Sequence, residues 1–537
     1  MQENADFIIV GAGSAGCVLA AELSAVPDNR VLLIEAGPQD KNFLIDMPRG
    51  IGKILAPGNP LVWTYDIEKG PGYGRETWLK GRAIGGSSSV NGMVYSRGFV
   101  SDYDGWEEQG CTGWGWSGML PHFIAHEDHE FGSAPDRGVG GPLRITGHPR
   151  DQAGAESRAL CDAFLVSAEA IGIPIVDDTN TAEDGGVGYQ PRNIWGGTRQ
   201  SAAKVFLRPA LSRPNLNVLS DTRVCRVVFE GKKAVGVEIE TGGDDKVVIR
   251  ANREVILSAG GVESPKILQL SGVGPIDVLQ EAGIPVIHDL PGVGRNLREH
   301  YYIQLKYRVT GGSLNHEFQG LRLVKNMLRY LFNKAGPMAN AAQEMIAYVK
   351  TREGLSRPDC QIGAGLYSLQ NGPDGPVLDK EPGFTIGGYH MHPRSQGELA
   401  ITSSDPSVSP RIVANYLQDP EDQAASIALV RLIRRIAEQP ALKPYIVGEF
   451  EPGPGVQTDD QILDAYMRLG GTAYHVSGTC KMGSGDDAVV DPQTRVHGIQ
   501  GLRIVDTSIF PTLISGNTNA PAMAAGRKAA KMILAEL

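Results

Sequence analysis

The stretch Phe7-Ile-Ile-Val-Gly-Ala-Gly-Ser-Ala-Gly16 decides the fold. Four unbroken apolar residues read as a buried strand, and Gly11, Gly13 and Gly16 at G-x-G-x-x-G spacing read as the turn into a helix carrying Leu19 and Leu23. A second apolar run, Val31-Leu-Leu-Ile34, closes a strand–helix–strand unit and ends on Glu35. Glycines let backbone and helix N-terminus approach a pyrophosphate, while an acid at the end of the second strand can accept from ribose hydroxyls. The unit reads as a dinucleotide site, without separating NAD from FAD.

Two distant segments repeat the strand-then-helix grammar. Val255-Ile-Leu257 runs into Ala259-Gly-Gly261 and a helix expected to be capped by Ser264, with Pro265 at its first position and a stop at Gly272. Leu502 to Asp506 leads through a polar loop to a terminal helix starting near Asn519-Ala-Pro521, so the two chain ends are expected to share one sheet. Between about 311 and 465 the pattern changes to alternating segments such as Thr385 to His392 and amphipathic helices around Leu321 to Phe332 and Ala424 to Glu438. The expected class is α/β, α+β overall. Residues 1–150, 216–310 and 466–537 form a discontinuous Rossmann-like domain, and 151–215 with 311–465 form a substrate domain on an antiparallel sheet and helices.

Composition narrows the function. The chain has 537 residues with a formal charge of −10, which gives no general attraction to phosphate backbones, so nucleic acid is not an expected partner. Six scattered cysteines with no C-x-x-C suggest a reducing, cytoplasmic compartment. No run of 18 apolar residues marks a membrane span; peripheral membrane contact stays open. There is no G-x-S-x-G, no Walker A loop and no H-E-x-x-H. Glycine, at 68 residues, is nearly twice its ~7% background, so many backbone positions turn sharply or touch something.

One such place is Gly81-Arg-Ala-Ile-Gly85-Gly-Ser-Ser-Ser-Val-Asn-Gly92, too polar for a core strand. It reads as a backbone cradle along an extended ligand, of the kind an FAD lying across a domain needs. Among eleven histidines, His475 stands out in the small-residue stretch around Ser477-Gly-Thr479. His122, His126 and His129 share a helical spacing and read as a solvated face, so no metal site is expected; His390 and His392 could line a pocket; Arg431, Arg434 and Arg435 read as solvated.

These clusters together resemble the glucose-methanol-choline (GMC) flavin oxidoreductases nearly end to end. The matching pieces are Gly11 to Glu35, Gly81 to Gly98, Ser258 to Pro265 with Leu270 to Pro275, Gly292 to Leu297, His475 to Gly483, and Leu502 to Pro511 with Asn517-Thr-Asn519 beyond. Gly261, Glu299 and Val476 depart from the usual alanine, aspartate and proline, and are expected to leave the chemistry untouched.

The resemblance implies an FAD-dependent enzyme that oxidises a primary or secondary alcohol. His475 would take the hydroxyl proton while hydride passes to flavin N5, and Asn517 would hold the substrate oxygen. The N-terminus of the last helix would favour reduced flavin. Val90 falls where some relatives carry a flavin-linked histidine, which implies non-covalent FAD. The cofactor-contacting set is Gly11, Gly13, Ser14, Ala15, Gly16, Glu35, Ala36, Arg82, Gly85, Gly86, Ser87, Asn91, Gly92 and Val94, with Val224 at the adenine, Asp506 near the ribityl-phosphate region, and Thr518. The motifs look most like bacterial choline and aliphatic alcohol dehydrogenases, which implies electron transfer to a quinone, dye-like or other acceptor, and contact with the inner membrane as an open possibility. Alternatives are an oxidase making hydrogen peroxide from O2 and a hydroxynitrile lyase with redox-idle flavin. Choline is not specifically favoured, since no aromatic cage with a carboxylate stands out.

Overall fold

The expected unit is present in the computed structural model, which describes residues 4–147, 154–240, 246–372 and 375–537. Strand Asn4–Val10 feeds helix Ser14–Leu23, which returns to strand Val31–Ile34, and the two strands pair in parallel with Phe7 opposite Val31 and Val10 opposite Ile34. On its other side the first strand pairs in parallel with Lys246–Leu257, whose end also pairs with Leu502–Ile504. The chain ends therefore meet in one sheet. Ile8, Ile9, Leu33 and Ile256 are completely buried, which accounts for unbroken apolar runs instead of alternation.

The sheet has seven strands, and its parallel core is extended on one edge by the antiparallel hairpin Arg223–Glu230 and Lys233–Glu240. Helix Asn519–Ala535 lies against the fingerprint helix so closely that a Cβ on Gly526 would sit 2.8 Å from the Ala15 carbonyl oxygen. Both helices open toward the same place. The middle helix starts earlier than expected, at Gly260, and runs to Leu270. Ser264 is inside it, because its hydroxyl is engaged by the Ala259 amide and donates to Asp506 instead of capping.

A second, wholly antiparallel seven-stranded sheet runs in the order Ile446–Glu451, Tyr301–Val309, Gly383–His390, Cys360–Gly365, Met345–Val349 and Gly186–Tyr189, with Gly471–Thr472 attached to the start of Tyr301–Val309. Strand Tyr301–Val309 thus belongs here, although the segment boundary drawn at 310 had put it with the first domain. Helix Pro420–Ala437 covers this sheet with Leu429, Val430, Ile433 and Ile436, while its Arg434 forms a bidentate pair with Glu449 at 2.8 and 2.9 Å. That arginine is enclosed, contrary to the solvated reading.

The histidine cluster differs too. Helix Trp116–His126 ends before His129, which lies on a short strand; His126 packs edge-on to Phe206 at 4.7 Å and His129 is buried near Asp178. They are core side chains, with burial pushing His126 down to about 3 and His129 to about 4. All six cysteines are buried and unpaired. Among the described residues no helix is long and apolar enough to cross a membrane.

Candidate active site

One cavity of about 710 Å³, inside the ~300–1,000 Å³ range of cofactor and small-molecule sites, runs from the fingerprint turn to His475. At the first end Gly11, Gly13, Ser14 and Ala15 line it, followed by Glu35 and Ala36. Gly11 has φ +99°, and a Cβ there would lie 2.5 Å from the Ser258 carbonyl oxygen, so only glycine lets the turn pass. Glu35 accepts from the amides of Ala12 and Gly37, each at 2.9 Å; burial pushes its carboxyl up to about 7 against those donors.

The second glycine loop lies over the first. Gly86, at φ +51°, would put a Cβ 2.6 Å from the Gly13 Cα, and its neighbours Ser87, Asn91, Gly92 and Val94 line the cavity. Val224, Asp506 and Thr518 line it as well. Asp506 accepts from Ser264 at 2.6 Å and from the Gly260 amide at 2.9 Å, tying two strand ends together. Ser14 donates to Asn519 at 2.8 Å, joining the starts of the first and last helices on the cavity wall.

Three residues of the expected set lie off the wall. Gly16 faces the Gly11 carbonyl, where a Cβ would come within 2.0 Å. Gly85 donates its amide to Ala12 at 2.7 Å, and Arg82 stacks over Trp63 at 4.8 Å while donating to the Ala36 carbonyl. Gly16 and Gly85 shape the turns, and Arg82 braces the wall from behind. Val90 lines the cavity with a side chain that offers no atom for a covalent link.

At the far end, Tyr474 adopts φ +67°, held by its amide's bond to Thr472 and by Lys80 donating to its carbonyl at 2.9 Å. This bend aims the buried His475 into the cavity. Its Nδ1 lies 2.9 Å from Nδ1 of His300, whose Nε2 lies 2.8 Å from the Met391 carbonyl oxygen. A carbonyl only accepts, so His300 carries its proton on Nε2 and offers a bare Nδ1; His475 must then carry its proton on Nδ1, leaving Nε2 as an acceptor. Asn517 donates to that Nε2 at 2.9 Å. Burial first, then His300 and the Lys80 ammonium, hold His475 well below the ordinary imidazole range, and burial pushes His300 down to about 3. The His475 imidazole is neutral and has a fixed tautomer.

The residues around it were not legible in sequence. Tyr389 stacks on His300 at 4.3 Å and stands edge-on to His475 at 5.7 Å; Tyr302 receives a hydrogen bond from Gln343 at 3.0 Å. They reach the cavity with Gln361 from separate strands of the second sheet. Among the described residues, Tyr389 Oη, Gln361 Oε1 and Asn517 Oδ1 are buried without a hydrogen-bond partner, and all three residues line the cavity. His390 and His392 lie outside: His390 bonds the Asp359 carbonyl and His392 bonds Asp102 and Ser515. Two positions that depart from the family pattern lie next to His475. Glu299 accepts the His475 amide at 2.8 Å, with burial pushing its carboxyl up to about 7 beside Lys80, and Gly261 makes room for the Val476 main chain, which a Cβ would approach to 2.7 Å.

Known proteins are similar to this chain over nearly its whole length. The GMC oxidoreductase family profile matches residues 5–302 with its N-terminal part and 393–526 with its C-terminal part. The chain belongs to the GMC oxidoreductase family. It is 40% identical to human mitochondrial choline dehydrogenase over 99% of this chain and 90% of that protein, and 40% identical to oxygen-dependent choline dehydrogenase of Sinorhizobium medicae (strain WSM419) over 99% and 96%. Its fold is similar to a solved pyridoxine 4-oxidase (TM-score 0.87, 31% identity, 98% of this chain and 99% of that one) and to formate oxidase (TM-score 0.91, 25% identity, 100% and 99%). As a GMC oxidoreductase it is an FAD-dependent enzyme acting on CH–OH donors. The glycine-walled turn, the second loop over it and the cavity volume fit that cofactor.

Proposed function

We propose that His475 is the base that takes the hydroxyl proton of an uncharged primary or secondary alcohol, with Asn517 positioning the alcohol oxygen. The observation carrying this reading is the chain from the Met391 carbonyl through His300 to His475, which leaves Nε2 without a proton at the cavity wall, where Asn517 holds it until an alcohol hydroxyl takes that place. A neutral imidazole there accepts the proton as the C–H bond breaks, and the carbonyl product keeps the oxygen. Asn517 has no proton to lose or take in this range; its amide supports charge developing on that oxygen. FAD, when bound, supplies the hydride acceptor. The turn from Gly11 to Ala15 would hold its diphosphate, Glu35 a ribose, Val224 the adenine, and the Gly86 to Val94 loop with Asp506 and Thr518 the ribityl and ring portions.

The lining near His475 supports an uncharged substrate. Tyr302, Tyr389, Gln343 and Gln361 are neutral, and among the described lining residues each carboxylate is engaged: Glu35 by amides, Asp506 by Ser264, Glu263 by Tyr65, and Glu451 by Lys306. A trimethylammonium group would find rings but no free anion. The purified yellow protein, mixed anaerobically with a panel of alcohols, should bleach with neutral alcohols at lower concentrations than with choline; preferential bleaching by choline would reverse the substrate reading.

Electrons pass to a quinone or other acceptor, a reading supported by 40% identity to proteins named as choline dehydrogenases. The solved relatives named as oxidases support a second reading, O2 reduced to hydrogen peroxide. Oxygen uptake compared with dye reduction under the same alcohol separates the two. Non-covalent attachment follows from Val90, and flavin should leave with the filtrate after denaturation; flavin retained on the protein would contradict it.

A further inference from the structure

Helix Gly320–Asn333 carries two apolar faces, of which only one is used inside the protein. Tyr330 is buried and Leu323 and Met327 are partly so, packed with Met47 and Met338. The opposite stripe is in solvent: Leu321 is 88% exposed, Phe332 81%, Val324 55%, and Leu328 and Leu331 49% each. Their spacing of three, four, three and one residues keeps them on one face of a 3.6-residue helix. Elsewhere among the described residues, exposed large apolar side chains come singly or as one adjacent pair along the chain. Such a stripe is an interaction surface, not ordinary surface composition.

The charge around it selects the partner. Lys325, Arg329 and Lys334 flank the stripe beside Arg322, which pairs with Glu317, and no Asp or Glu occurs from Phe318 to Gln343, in a chain whose formal charge is −10. Lys334 rests over the rings of Phe43 and Tyr330, and Phe43, itself exposed, extends the apolar surface past the helix end. A two-fold pairing of this face with itself would set Lys325, Arg329 and Lys334 against their own copies. At 1.5 Å per residue the 14-residue helix is about 21 Å long, short of the ~30 Å hydrocarbon core, so it would lie in the interface plane.

We propose that the helix Gly320–Asn333 docks this protein on an anionic lipid bilayer, its Leu321–Phe332 stripe in the acyl boundary and its flanking cations among the headgroups. The placement suits a membrane-side acceptor, because Met47 packs beneath the helix and, a turn or two later in the same segment, Ile51 and Leu55 form part of the cavity wall. It rests on the acceptor reading above for what docking serves; binding itself is tested without turnover.

The test is flotation of the full-length holoprotein with phosphatidylglycerol–phosphatidylcholine vesicles and with pure phosphatidylcholine vesicles, alongside light scattering for oligomeric state. Wild type should float with the anionic vesicles and far less with the neutral ones. Leu321→Glu with Phe332→Glu, and separately Lys325→Glu with Arg329→Glu, should each lower the bound fraction about tenfold or more. Both variants should keep wild-type dye-linked activity, thermal midpoint and oligomeric state. A wild type that stays with the pellet, variants that float like wild type, or a dimer that Leu321→Glu with Phe332→Glu splits into monomers would overturn the proposal. Failure of alcohol to bleach the flavin in a protein that still floats would instead strike the functional reading alone.

Discussion

At the fingerprint end of the cavity the wall is rich in main chain and glycine, with two short runs, Gly11 to Glu35 and Gly86 to Gly92, joined by Val224, Ser258 to Glu263 and Asp506. At the His475 end it is side chains, drawn from residues as far apart as Tyr302, Gln343, Gln361, Tyr389 and Asn517. The first end recognises a shape common to every dinucleotide through backbone groups that any sequence could supply, provided no Cβ intrudes. The second sets a tautomer and a polarity, and only particular side chains can do that. Damage to the first should abolish cofactor binding without touching the base; damage to the second should leave the cofactor in place and slow the chemistry.

The largest separation is expected from Gly86→Val. Its Cβ would meet the Gly13 Cα at 2.6 Å in a conformation that branched residues avoid, so flavin content after purification should fall about tenfold or more while the fold is retained. A variant isolated fully yellow would show that the two loops part more easily than their packing implies. At the other end, Asn517→Ala should keep its flavin and slow alcohol-driven bleaching by about 10²-fold, the scale of losing one donor to a developing oxyanion. Flavin loss in that variant would place Asn517 among the cofactor's holders.

His300→Phe keeps a ring against Tyr389 but removes the acceptor that fixes the His475 tautomer, and should slow bleaching by about tenfold with flavin retained. The smallest effect tests the electrostatics. The Lys80 ammonium opposes protonation of His475, so with Lys80→Met the imidazole takes up its proton at higher pH. Because the neutral ring is the active form, the acid limb of the bleaching rate should move upward; a limb unmoved or moved downward would mean the charge does not reach the base.

The same contrast explains what could be read from sequence. Phe7 to Glu35 is a local object: strand, turn and helix follow one another, so periodicity and spacing revealed the unit and the parallel pairing of its strands. The Ser264 capping signal misled because Asp506, hundreds of residues away, claims that hydroxyl. His126 and His129 look solvated on a helical wheel, but the helix ends between them and Phe206 and Asp178 close over them from elsewhere. His475 and Asn517 are singled out as a pair by family resemblance, whereas His300, Tyr389 and Gln361 carry no local signature. Their meaning arises only when the antiparallel sheet sets its strands side by side. Glu299 carries no local sign that its carboxylate accepts the His475 amide.

The account stands on His475 acting as a neutral base. The direct measurement is the anaerobic bleaching rate of wild type and His475→Ala, at equal flavin content, with a neutral alcohol that reduces the wild type. The variant should keep its yellow cofactor and bleach about 10²- to 10⁴-fold more slowly, the range a positioned general base contributes. Equal rates in the two proteins would contradict it.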